Sequence, residues 1–140
     1  MTNIRSILGA VVVLVMGVSC AIASDPKSLI CDFKIGSAHA YEKGGFKVEK
    51  AGAVTFRLAA IDPVRQTAEI ASPRGSNGVR VVRAVNALHF IEIVGEGFMN
   101  VTTVYDLDQA RKAHPAVHSR HFGLLGQPIV SQYRGFCVPG

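Results

Sequence analysis

The chain has 140 residues, 49% of them hydrophobic and 7% aromatic, with a formal net charge of +5. That length suits one domain built on a single core. Its basic residues are scattered, not gathered into the aromatic-interleaved face that nucleic-acid binding uses, so nucleic acid is excluded as a partner, and no repeat or low-complexity tract divides the chain.

Met1 to Arg5 is a short basic start, Ile7 to Ile22 is almost wholly apolar, and Ala21-Ile22-Ala23 places small residues where a signal peptidase reads. The pattern predicts a signal peptide over 1–23, cleaved after Ala23, and a single domain over 24–140 that is exported, either periplasmic or secreted. No later apolar run approaches the roughly 18 residues that span a bilayer, so no membrane span is expected in the mature chain. Cys20 leaves with the signal, and Cys31 and Cys137 remain near opposite ends. In an oxidising compartment such a pair predicts one disulfide tying the ends together.

Beyond the signal, alternation dominates. Leu29, Cys31, Phe33 and Ile35 share one parity; Val54, Phe56, Leu58 and Ala60 share another run, as do Ala68 and Ile70, then Met99, Val101, Thr103 and Tyr105. Period two with β-branched and aromatic enrichment marks half-buried strands. Turn residues separate the runs: Asp62-Pro63, Ser72-Pro73-Arg74-Gly75, Asn86-Ala87, Gly95-Glu96-Gly97 and Gly126-Gln127-Pro128. Strands are expected over 28–35, 54–61, 66–72, 78–85, 88–94, 98–106, 115–122 and 128–137. Residues 36–53, with their glycines, are expected as a long connection, and 107–114 as one helical turn. The strands at 78–85 and 88–94 carry apolar residues on both parities, as a strand covered on both sides or a strand with a face-swapping bulge does, and the 36–53 segment or another subunit is expected to cover their outer face.

Short strands with regular turns predict an all-β fold, a small antiparallel up-and-down meander or barrel of about eight strands. With an even strand count, the first strand starts at the end where the last finishes. Cys31 and Cys137 then meet inside one barrel end, and their bridge closes a loop of about 100 residues. Leu29, Phe33, Ile35, Phe56, Leu58, Ile70, Val101, Tyr105, Ile129 and Tyr133 are expected to point inward. They are enough to fill an eight-stranded interior, so a filled and a hollow barrel are both open at this point.

The densest chemistry lies in His114-Pro115-Ala116-Val117-His118-Ser119-Arg120-His121. Imidazoles suit zinc or copper, but on a strand His118 and His121 face opposite ways, and no cysteine or carboxylate lies close in sequence. No metal and no cofactor is therefore assigned. Ser119 beside His118 resembles a hydrolase pair, but adjacent strand residues face opposite ways and the sequence has no Gly-x-Ser-x-Gly elbow. Arg120 is expected either to pair with Asp106 or Glu92, or to converge with His118, His121 and Tyr133 on an anionic or carboxylate ligand.

The runs Asn100-Val101-Thr102-Thr103-Val104-Tyr105 and Pro115-Ala116-Val117-His118-Ser119-Arg120-His121, with Gln132-Tyr133, Gly135 and Cys137, resemble a family of small exported alphaproteobacterial proteins. The resemblance is strongest over 98–137. It implies export, the two-cysteine frame and a compact β domain, and no catalytic role for any residue.

The expected function is a small exported, non-enzymatic β-barrel module binding a small ligand or an envelope partner, with His118, Arg120, His121 and Tyr133 as the candidate ligand residues. Two alternatives stand beside it. One is a metal-binding protein or hydrolase using His114–His121; the other is an inhibitor or interaction protein using residues 36–53 and the basic surface.

Overall fold

A computed structural model describes residues 24–140 apart from Arg74, Glu96, Gly97 and Leu125; the signal and its cleavage point lie outside the described residues. The strands are β1 (Leu29–Glu42), β2 (Gly45–Ala51), β3 (Val54–Asp62), β4 (Thr67–Ser72), β5 (Gly75–Arg83), β6 (Ala87–Val94), β7 (Phe98–Tyr105), β8 (His114–Leu124) and β9 (Gln127–Pro139). Every pairing is antiparallel. From β3 to β9 each strand pairs with the next, and β9 returns to β1, which pairs with β3. Eight strands thus close a barrel, and β2 is an extra strand on the upper half of β1. Closure leaves β2 as the exposed sheet edge among the described strands.

The 36–53 segment is therefore not a long connection. β1 runs on to Glu42, reverses at Lys43-Gly44 and returns as β2. Lys43 and Gly44 both have positive φ, 48° and 86°, the conformation that a two-residue hairpin turn demands. Nor does the segment cover β5 and β6: it pairs edge-on with β1, and Ile93 on the outer face of β6 is 79% exposed. The 107–114 segment is a turn, not a helix. Asp108 Oδ1 accepts from the amides of Ala110 and Arg111, Asp108 bridges Ala113, and Lys112 sits at φ 54°, which stops helical propagation.

Two bulges reset the alternation. Between Asp32 and Ile35, β1 carries one residue more than β9. Below it Leu29, Cys31 and Phe33 are fully buried; above it Gly36 takes the inward parity and Ile35 turns out to water, 62% exposed. A second irregularity lies between Ala59 and Asp62 of β3, where Ala60 has φ 48°. Leu58 and Ile61 are both buried there, and Ala60 faces out, against simple alternation.

The inward parity of β7 is also opposite to the expectation. Thr102 and Val104 are buried, whereas Val101 and Tyr105 belong to the outer face. The polar members face in because buried partners await them. Thr102 lies opposite His118, and the Asn100 side chain bonds Glu92.

The core fills the lower half of the barrel with Leu29, Phe33, Phe56, Leu58, Val81, Phe90 and their neighbours. Cys31 and Cys137 are register partners on β1 and β9, fully buried and disulfide-bonded at 2.00 Å. The bridge belongs to that core, at the end where the chain enters and leaves the barrel.

Candidate functional site

The upper half of the barrel is hollow. A cavity of about 660 Å³ opens at the end away from the disulfide, walled by β3 to β8. Strand register stacks its polar and apolar linings in layers. The row beneath the cavity runs Phe90–Thr102–His118–Tyr133–Gly36 across β6, β7, β8, β9 and β1, and His118 is its member that reaches the cavity. The belt above it runs Glu92–Asn100–Arg120–Ser131. At the rim Val94 is paired with Phe98, whose ring meets Phe122 edge-on at 5.6 Å between centroids. The cavity therefore has an apolar mouth and a charged belt over an aromatic floor.

His118 anchors the floor. It is 1% exposed and lies 5.1–5.8 Å, between ring centroids, from Phe33, Phe56 and Tyr133. The guanidinium of Arg120 can only donate, so its Nε–H, 3.1 Å from His118 Nε2, requires that nitrogen to be unprotonated. The ring proton then sits on Nδ1 and is donated to Thr102 Oγ1 at 2.9 Å. Burial and the adjacent Arg120 charge push the His118 pKa down to about 4, so the ring is neutral near pH 7.

Arg120 stands on this imidazole and over the Tyr133 ring, 5.5 Å from its centroid. It pairs with neither Asp106 nor Glu92 among the described residues: Asp106 meets Arg83, and Glu92 is held by two amides. Asn77 Nδ2 donates to one Glu92 oxygen at 3.1 Å and Asn100 Nδ2 to the other at 2.7 Å. Glu92 is buried, and both its oxygens accept, as a carboxylate's do.

Of the four candidate residues, β8 and β9 bring His118, Arg120 and Tyr133 together. Tyr133 is a buried wall behind His118, not a cavity residue, and Gly36 makes room for it: a Cβ there would lie 2.5 Å from the tyrosine ring. His121 is separated from them. It is exposed on the outer face, opposite Met99 and Val130. Ser119 shares that outer parity while His118 points in, and His114 spends its Nδ1 on the Tyr105 carbonyl at 2.8 Å. The histidine segment is thus split between two faces. Among the described residues no three His, Cys, Asp or Glu side chains gather as a group that could hold a metal.

Glu92, Asn100 and Asn77 were not among the candidate ligand residues. One signal marks the first: Glu92 shares parity with Leu88 and Phe90, a carboxylate on a core-facing row. No family model, no curated protein and no solved structure matches this chain.

Proposed function

We propose that this protein is a non-enzymatic, exported binding module that holds one small amphipathic molecule in the open end of its barrel. The hollow upper half carries this reading. About 660 Å³ lies within the range of small-molecule sites, and apolar walls with a few convergent polar groups are the usual make-up of such sites. The Arg120 terminal N–H groups form no hydrogen bond among the described residues, so a ligand carboxylate would find a planar donor pair already oriented by His118 and Tyr133. The buried disulfide is compatible with an oxidising compartment, and the N-terminal pattern with export. The family resemblance of residues 98–137 agrees with both.

Native mass spectrometry of protein purified from the periplasm tests this. A single adduct of small-molecule mass is expected on the parent. Arg120→Lys should keep the melting temperature and lose the adduct, because an ammonium cannot offer the planar fork. A bare monomer that also ignores every carboxylate added to it would refute the proposal.

A further inference from the structure

We infer that the ligand is a short apolar peptide with free ends, its ammonium against Glu92 and its carboxylate against Arg120. This rests on the binding reading above and specifies its ligand. The cavity belt holds two opposite charges that do not meet. Glu92 and Arg120 both line the cavity, and neither forms an ion pair among the described residues. A charge taken out of water without a counter-charge is costly. Glu92 is buried and Arg120 partly buried, and each is held by neutral groups instead: Glu92 by two amides, Arg120 by an imidazole and a phenol ring.

The two charges lie on alternate strands of one register row, with Asn100 between them. Strands two places apart are separated by about 10 Å at the backbone. The spacing suits a molecule whose opposite charges are set apart rather than carried on a single carbon. Asn100 supplies a third matching group. Its Nδ2 must face Glu92, which only accepts, so its Oδ1 faces away and is left as an acceptor. Along the row the wall therefore offers carboxylate, amide carbonyl, guanidinium. A dipeptide offers ammonium, peptide N–H, carboxylate in the same order. Its apolar side chains would meet Val94, Phe98 and Phe122 at the mouth.

Isothermal titration calorimetry with three probes decides the matter: leucyl-phenylalanine, its N-acetyl derivative and its C-terminal amide. The free dipeptide should bind one to one. Each capped form should bind at least about tenfold more weakly, as expected when a charged group loses its partner. Glu92→Gln, nearly isosteric, should erase the difference between free and acetylated peptide and leave the penalty on the amide. Arg120→Gln should do the reverse. Circular dichroism of both variants confirms that they fold. Equal binding of the free and acetylated peptides overturns the inference. If none of the peptides binds while another small molecule occupies the cavity, the inference falls and the binding module stands. If nothing of any kind occupies the cavity, both fall.

Discussion

His118 is a titratable group placed where only its neutral form fits. Arg120 donates to one ring nitrogen and three aromatic rings surround it. In the unfolded chain the ring takes a proton near pH 6.5; in the folded barrel only near pH 4. Between these values the unfolded state binds more protons, so stability falls as pH drops through that window, by about 3 kcal/mol in all. Urea unfolding at pH 7 and pH 4 should show a larger acid loss in the parent than in His118→Gln, whose amide can keep both hydrogen bonds but cannot titrate. Identical losses would mean that His118 charges freely in the fold. His121→Ala, on the exposed outer face, should change stability by no more than about 0.5 kcal/mol. At this scale the sequence exposed half of the site. Arg120 and His118 stand out in a chemistry-rich run. Glu92, Asn77 and Asn100 do not, because hydrophobic alternation sends polar residues outward and these three turn in to satisfy one another.

The bulge in β1 decides which residues the first strand contributes to the core and which to water. It presses on Gly135 of β9, where a Cβ would stand 2.0 Å from the Asp32 carbonyl oxygen and 2.8 Å from Phe33 Cα. Backbone on both sides leaves nothing to yield. Gly135→Ala should therefore cost about 3 kcal/mol or more, or prevent folding. Gly123→Ala, whose new Cβ would meet nothing nearer than 3.8 Å, is the control and should cost far less. Thermal melts of the pair check this; equal melting temperatures would show that the bulge is not fixed. Eight of the nine strands were legible because period two survives over short runs. The bulges were not, since one inserted residue reverses parity without changing composition. That is why Ile35 and Ile61 sit on faces that simple alternation does not assign. The remaining strand had a readable signal. Gly44-Gly45 lies between two extendable runs, and glycine at a short break of this kind marks a hairpin turn.

At the scale of the molecule, one end is filled and tied and the other is open. The Cys31–Cys137 bridge joins the first and last barrel strands across a sequence separation of 106. Replacing either cysteine with serine should lower stability by roughly 2–5 kcal/mol, read as a fall in melting temperature. If both variants melt like the parent, closure owes nothing to the bridge. The barrel, its strand number and the disulfide follow from alternation, turn residues and cysteine parity. That it is half hollow does not, because the room at the open end depends on which side chains of β3 to β8 turn inward, and bulges and polar pairs there override simple alternation. The proposed binding depends on that open half. Fluorescence titration with anilinonaphthalene sulfonate, an apolar anion, tests it most directly. The folded parent should bind one dye molecule per barrel. Binding should be lost in Arg120→Leu, which removes the cation, and in Val94→Trp, which fills the mouth, while circular dichroism shows both variants folded. Dye that binds at several sites, or that binds both variants as tightly as the parent, would place it on the outer surface and contradict the account.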